Sequence, residues 1–389
     1  DETLQKVIFQ KEGKLNSLGE PLDFPLKPYT RYWYTVAVRS DQGEEALSQT
    51  CFFETGKLDD PWKGQWLGVE DGDTHPEFQK TFSLPEKPRS ARLYICGLGL
   101  FEAYLNGEKA GNDLLAPFLN DYTEHFQYCT YDVTSLLAED NTLSVLLGDG
   151  WYRGHFGLGE PTHYERPLAL IAELRMEFAD GHTETLCSDS GWQYRSSFTT
   201  LSDIYNGETQ DYTKAPGDWK QPVLIPAPGR LCDRYSSPLH YMESIPVKEV
   251  IHTPAGETVL DFGQNFAGHV VCTQPLPKGT TMILEFGEVL QNGNFYHDNY
   301  RHAESKFTYV SDGISREIRP RFTFFGFRYV KVSGLDRVEA ACFEGRAIYS
   351  EMDRTGFIRT GNEKINRLFS NSLWGLKSNF LDIPTDCPQ

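Results

Sequence analysis

The sequence predicts a mainly β protein of several domains with one long helix near its end. Three observations carry that expectation. Its 25 Phe, 20 Tyr and 7 Trp suit pleated surfaces, while 34 Gly and 22 Pro supply the dihedrals of tight turns, with only four Met among them. Apolar residues alternate at period two in one segment after another. A single stretch, after residue 360, switches to helical period. With 389 residues the chain has room for two to three domains.

Taken in order, Arg31 to Arg39 alternate along RYWYTVAVR, Ser40 to Gly43 form a turn, and Leu47 to Phe53 return. This reads as the last strand pair of a fibronectin III-like sandwich. A whole domain of that kind needs about 100 residues, so residues 1–57 are expected to be only its C-terminal part. Arg92–Gly99 and Phe101–Glu108 read as a hairpin-like unit with an Asn106-Gly107 turn. Tyr131 to Leu137 suggest one helical turn capped by Asp132 or Thr134, before a strand at Leu143–Gly148. Ile204–Glu208 and Lys214–Trp219 close this region, and Pro222 to Gly229 look like a linker. A third β unit holds Val259–Asn265, Met282–Glu288 and Phe322–Val332, and ends near Ile348. Thr360 and Glu363 have capping-box spacing, and Ile365, Leu368, Phe369, Leu376 and Phe380 then recur on one face. That apolar stripe needs a partner, and none remains before the sequence stops.

The balance of 37 basic against 55 acidic residues gives −18, a field that repels nucleic acid and anionic lipid surfaces, so neither is expected as a partner. No run of 18 apolar residues occurs and the opening is polar, so no membrane-spanning helix is expected either. Eight cysteines are spread along the chain without a C-x-x-C pair, and most read as small apolar residues inside strands rather than zinc ligands.

Seven blocks, in this order, carry a resemblance. They are Asp121-Tyr122, Tyr128–Leu137, Leu147–Gly154, Asp203–Glu208, Asp261–Gly268, Phe322–Val330 and Ile383–Gln389. Together the chain resembles bacterial α-L-rhamnosidases of glycoside hydrolase family 78. The resemblance implies a jelly-roll over 58–232, a second β-sandwich over 233–348, and over 349–389 a linker with the first helix of a catalytic (α/α)6 barrel. It implies hydrolysis of terminal α-L-rhamnosyl residues with inversion, which requires a general acid and a general base about 6.5–9.5 Å apart. Asp386 matches the family's sugar-contacting Asp. The acid is expected just beyond Gln389 and the base further on, so no catalytic residue is expected within the chain and residues 1–389 alone are expected to be inactive. Rhamnose-containing glycosides or oligosaccharides are the implied partners, in the bacterial cytoplasm or periplasm. The alternative is a non-catalytic carbohydrate-binding or scaffolding protein built from the same β modules.

In the jelly-roll region Trp151 and Tyr152 offer aromatic faces, and Asn120 and Asp121 offer groups for hydroxyls, which together suit a sugar; Trp151 reads alternatively as core. Some relatives bind rhamnose with calcium in a corresponding domain, although Phe118-Leu119-Asn120 stands where many have Gly-Trp-Thr. Glu285 and Glu288, three apart on a strand, point to opposite faces and make a poor acid/base pair. His297, Asp298 and His302 read as a solvated loop rather than a metal site, and Asp261, Gln264 and Asn265 as turn residues that organise the sandwich.

Overall fold

The computed structural model describes residues 2–16, 19–21, 23–70, 72, 75–155 and 167–388. It forms two compact units, 1–63 and 64–389. In the first, Arg31–Tyr34 pairs antiparallel with Cys51–Glu54, and Ala37–Arg39 with Glu45–Leu47. Cross-strand rings hold the first pair, Tyr32 stacking on Phe53 at 5.2 Å and Trp33 meeting Phe52 at 5.0 Å. The strand expected to run unbroken from Arg31 to Arg39 is split at Thr35-Val36. There the Ser48 hydroxyl accepts from the Val36 N–H at 3.0 Å and replaces a ladder bond.

In the second unit, a seven-stranded and a five-stranded sheet form a sandwich. The first runs Val223–Ile225, Trp66–Gly68, Ala169–Glu177, Ser90–Leu98, His125–Asp132, Arg230–Asp233, with Thr183–Cys187 beside Ala169–Glu177. The second runs Gln193–Ser196, Pro76–Ser83, Asp140–Gly148, Leu100–Leu105, Glu108–Lys109. The Asn106-Gly107 turn is present, with both residues at positive φ (55° and 84°) as the tightest hairpins require. The strands before and after Gly99 do not pair with each other. Gly99, at φ 103°, carries the chain from one sheet to the other, and a side chain there would strike the carbonyl of Gly148. The turn after Tyr131 is a short 3-10 helix, Thr134–Leu136, whose Thr134 N–H donates to Asp132 at 3.0 Å.

The third sheet has nine strands and curls around the bulged strand Thr258–Cys272, which pairs with Phe325–Ser333 on both sides of the shift between Asp261 and Phe266. Asp261 braces the bulge, accepting from the Gly263 N–H at 2.7 Å and from two nitrogens of Arg328 at 2.8 and 2.9 Å. Phe262, Phe266, Phe286, Phe325 and Phe327 fill the interior, Phe286 stacking on Phe325 at 3.8 Å. Residues 199–211, inside the span expected for the jelly-roll, form a hairpin that joins this sheet by parallel pairing with Lys306–Val310.

The expected helix is Glu363–Ser378, capped by Asn362, whose side chain accepts from the Lys364 N–H at 2.9 Å. Thr360 is therefore not the cap; its hydroxyl accepts from the Asn362 N–H instead. Phe380 lies past the helix, in the short strand Phe380–Leu381. Trp374 packs on the apolar interior of the nine-stranded sheet, whereas Ile365, Leu368 and Leu376 are exposed.

A buried ionic cluster joins the two sandwiches. Glu102, on the strand Leu100–Leu105 and 2% exposed, accepts from Arg319 at 2.8 Å, from Arg321, and from the Tyr104 hydroxyl at 2.5 Å, with Lys109 at 3.4 Å. Burial opposes ionisation of Glu102, but Arg319, Lys109 and Arg321 outweigh it and hold its carboxyl well below the usual range. Beside it Glu208 accepts the backbone N–H groups of Arg321 and Phe322, each at 2.8 Å, and Phe322 occupies the space a side chain at Gly148 would need. His269, fully buried, is pushed down to about 3 by burial and then by Arg319; it lies between the Tyr241 hydroxyl and the Thr323 carbonyl at 2.8 and 2.6 Å.

Two stability outcomes follow from this cluster. Glu102→Gln strands the arginines in a buried site and is expected to cost about 3–5 kcal/mol in urea unfolding. The folded pKa of His269 lies below that of an unfolded imidazole, so the unfolded chain takes the proton first as pH falls. Stability therefore drops from about pH 6.5 towards about 3, by up to about 1.4 kcal/mol per pH unit, and His269→Gln is expected to flatten that slope.

Candidate functional site

One cleft of about 400 Å³ gathers several of the residues singled out in the sequence. Its wall is Leu119 to Tyr122 from a loop, Gln127 from the strand His125–Asp132 and Trp151 from a short helix, with Tyr235-Ser236 and Asp382-Ile383 from two later segments. Gln127 draws the third segment in. Its Oε1 accepts from the N–H groups of Tyr235 and Ser236, both at 3.0 Å.

Trp151 and Tyr152 stand on the short helix Gly150–Arg153. Trp151 lines the cleft although it is 7% exposed, so it is both wall and core. Tyr152 does not reach the cleft: it is 1% exposed and packs on Tyr122 at 5.1 Å. Neighbouring positions on one helical turn cannot face the same way, and the inward one became core. Asn120 is also buried; its Oδ1 accepts from the Gln127 N–H at 2.8 Å and its amide reaches the carbonyls of Pro117 and Phe118. It shapes the loop. Phe118, where the resemblance expects Gly, has φ 73° in the left-handed region that favours glycine, with its ring fully buried. Asp121 is exposed, and its Oδ1 accepts from the hydroxyl and N–H of Thr123 at 2.6 and 3.1 Å, which lower its pKa.

Asp382 is the group that sequence reasoning missed. It sits at φ 72° between Phe380–Leu381 and Ile383–Pro384, its Oδ2 accepting from the Leu119 N–H at 3.0 Å while its own N–H donates to the Ser350 hydroxyl at 2.9 Å. Its Oδ1 is buried without a hydrogen-bond partner, and burial raises its pKa. Nothing in its sequence neighbourhood marks it except that Asp386 follows four positions later. Asp386 itself is exposed on a bend outside the cleft, and Gln389 lies outside the described residues.

As calcium donors the cleft residues fall short. Asp121 and Asp382 supply two carboxylates and Asn120 has its oxygen engaged, against the six to eight oxygens calcium takes; among the described residues no three His, Cys, Asp or Glu are grouped for a metal. His297 is not a solvated loop residue: it is half-buried and stacked on Tyr300 at 4.9 Å. Glu285 pairs with Lys331 at 2.7 Å, and Glu288 accepts from Asn265 and Asn299 at 2.7 and 3.1 Å, so the two serve separate structural contacts.

Two β-sandwich modules followed by the helix Glu363–Ser378 and an Asp-bearing loop define a multi-module, mainly β protein with a cleft lined by both aromatic and carboxylate groups. Three domain profiles match in succession. They are the α-L-rhamnosidase N-terminal domain over 86–240, the bacterial α-L-rhamnosidase concanavalin-like domain over 251–349 and the bacterial α-L-rhamnosidase six-hairpin glycosidase domain over 353–389. The chain belongs to the bacterial α-L-rhamnosidase family. It is 37% identical over 329 residues to an α-L-rhamnosidase of Streptomyces avermitilis, covering 80% of this chain and 32% of that protein. With one of an Alteromonas species it shares 34% over 374 residues, covering 88% and 40%. The native α-L-rhamnosidase of Aspergillus terreus superposes with a TM-score of 0.87 at 31% identity, over 94% of this chain and 46% of that one. The chain thus spans well under half the length of these curated relatives.

The raised pKa of Asp382 has a sign that can be checked. A carboxyl that ionises later when folded makes folding less favourable as pH rises past the unfolded value, about 3.9. Asp382→Asn keeps an acceptor for Leu119 and tolerates positive φ, so its thermal midpoint is expected to gain on wild type as pH is raised from about 4 to about 7.

Proposed function

We propose that the protein of which these modules form part hydrolyses terminal α-L-rhamnosyl residues of glycosides or oligosaccharides with inversion. The observation that supports it most is order: N-terminal, concanavalin-like and six-hairpin profiles follow one another along a single chain. In this reading 1–57 end a fibronectin III-like domain, 58–232 are the jelly-roll, 233–348 the second sandwich, and 349–389 open the catalytic barrel. Asp386 binds the sugar. As the family pattern implies, the general acid follows shortly after Gln389 and the general base further on, so that the two carboxyl groups that inversion requires both lie outside residues 1–389. The intact protein is expected to release L-rhamnose from an aryl α-L-rhamnoside, and residues 1–389 alone to release none. An intact enzyme active only on another sugar would refute the substrate assignment.

A second reading concerns the cleft, which offers the indole of Trp151 to an apolar sugar face and the carboxylates of Asp121 and Asp382 to hydroxyls. Tyr152 and Asn120 act behind it, as packing and loop support. Methyl α-L-rhamnoside titrated into the protein is expected to shift the indole resonance of Trp151. Asp382→Ala is expected to weaken that binding about tenfold, since it removes a carboxylate oxygen that is buried at the cleft without a hydrogen-bond partner. An unchanged spectrum at saturating sugar counts against the cleft alone.

A further inference from the structure

The loop carrying Asp386 is seated on the nine-stranded sheet by residues to which neither the sequence blocks nor the cleft assigns a role. Gly326 is the second residue of the strand Phe325–Ser333 and lies opposite Ala267. A Cβ there would come within 2.5 Å of three atoms of Pro388. The glycine supplies space for the loop rather than an unusual dihedral, since its φ is not among the positive ones. On the same spot Tyr300, 1% exposed, donates its hydroxyl to the Gly326 carbonyl. The next residue, Arg301, adopts φ 61° and ψ −107°, and its Nη2 donates to the Cys387 sulfur at 3.7 Å. A short 3-10 helix, Asp298–Tyr300, sets this pair in place, with His297 stacked flat on Tyr300.

The other end of the loop is tied as well. The Thr385 N–H donates to the Asn379 carbonyl at 2.9 Å, and the Asp382 N–H to the Ser350 hydroxyl at 2.9 Å. Between these ties Asp386 is exposed and makes no hydrogen bond to the described residues. Three of its neighbours are gripped while its carboxylate is left for something else. A non-glycine residue at positive φ is strained, and persists where the surroundings over-determine it; Arg301 is in that position beside the loop.

We infer that Gly326 and Arg301 are positioning residues for Asp386, holding the 385–388 loop on the sheet so that the Asp386 carboxylate is presented to the sugar in one geometry. This rests on the proposed sugar contact of Asp386. Neither residue touches the sugar in this arrangement; both act through Pro388 and Cys387.

The test uses the intact protein and two readouts. In Gly326→Ala the methyl group displaces Pro388, so the Cys387 thiol, followed by peptide-resolved alkylation, is expected to react at least about fivefold faster. The KM for an aryl α-L-rhamnoside and the inhibition constant of L-rhamnose are expected to rise together by about tenfold, with a smaller fall in kcat. Arg301→Ala is expected to act in the same direction, and Arg301→Lys, which keeps a donor for Cys387, to recover most of the affinity. Should Gly326→Ala not fold, Arg301→Ala, at an exposed position, decides the matter. Wild-type Cys387 reactivity and unchanged L-rhamnose affinity in Arg301→Ala would overturn the inference. An intact protein that releases no rhamnose defeats the proposed activity instead, and the Cys387 rates still decide whether the loop is seated as inferred.

Discussion

The buried carboxylate of Glu102 is the constraint on which the arrangement of the larger unit turns. It belongs to the jelly-roll, yet Arg319 and Arg321, which neutralise it, precede the central strand of the other sandwich. Two arginines and a lysine around one carboxylate would repel one another in a dry site; the Tyr104 hydroxyl, which accepts from Arg321, and the Pro320 and Asp113 carbonyls, which accept from Arg319 and Lys109, take up several of the remaining donors. An apolar contact would tolerate sliding. This one is directional, with Arg319 and Arg321 both bonded to the Glu102 carboxylate, so it fixes register between the two sandwiches as well as adhesion. Phe322, seated against Gly148, and the paired N–H groups on Glu208 extend the same constraint over five successive residues, 319–323, ending with the Thr323 hydroxyl on the Ile204 carbonyl.

Much of the fold was legible because its signals are local. The strands expected at Leu143–Gly148 and Phe322–Val332 are present as Asp140–Gly148 and Phe325–Ser333, Asn106-Gly107 announced its turn, and the helical period after 360 found Glu363–Ser378. What was not legible depends on partners distant in sequence. Nothing local in residues 199–211 shows that they will cross to the other sandwich, a choice made where Gly207–Asp211 pairs in parallel with Lys306–Val310 about a hundred residues later. Nor can pattern show that Gly99 changes sheets instead of closing a hairpin, since a glycine with positive φ serves both.

The candidate site divides along the same line. Trp151 and Asp121 could be named because aromatic and carboxylate groups near one another are what a sugar needs. Asp382, Gln127, Tyr235 and Ser236 could not, because they reach the cleft from three separated parts of the chain. Tyr152 was a misreading of a kind that one helical turn invites: composition identified the residue type and geometry gave its face to the core. The family motifs, by contrast, were legible in order without any structure, because seven blocks in sequence leave little room for coincidence.

The helix at 363–378 and the loop after it show how the β modules fix the position of Asp386. Only the last turns of the helix pack, through Trp374 and Lys377, whose ammonium pairs with Glu243, while Ile365 and Leu368 face outward. A helix held at one end is a poor ruler for placing a carboxylate. The loop beyond it, however, meets rigid partners almost residue by residue: Leu381 buried, Asp382 tied to Leu119 and Ser350, Thr385 to Asn379, Cys387 to Arg301, Pro388 to Gly326. Precision at Asp386 then comes from strands, whose positions are set by ladder bonds and by the Glu102 cluster, rather than from the helix that introduces it. Because Leu119 belongs to the first sandwich while Ser350 and Gly326 lie on strands of the nine-stranded sheet, the loop is defined only where the two sandwiches are locked together. The ionic cluster that fixes their register is in this way also the remote support of Asp386.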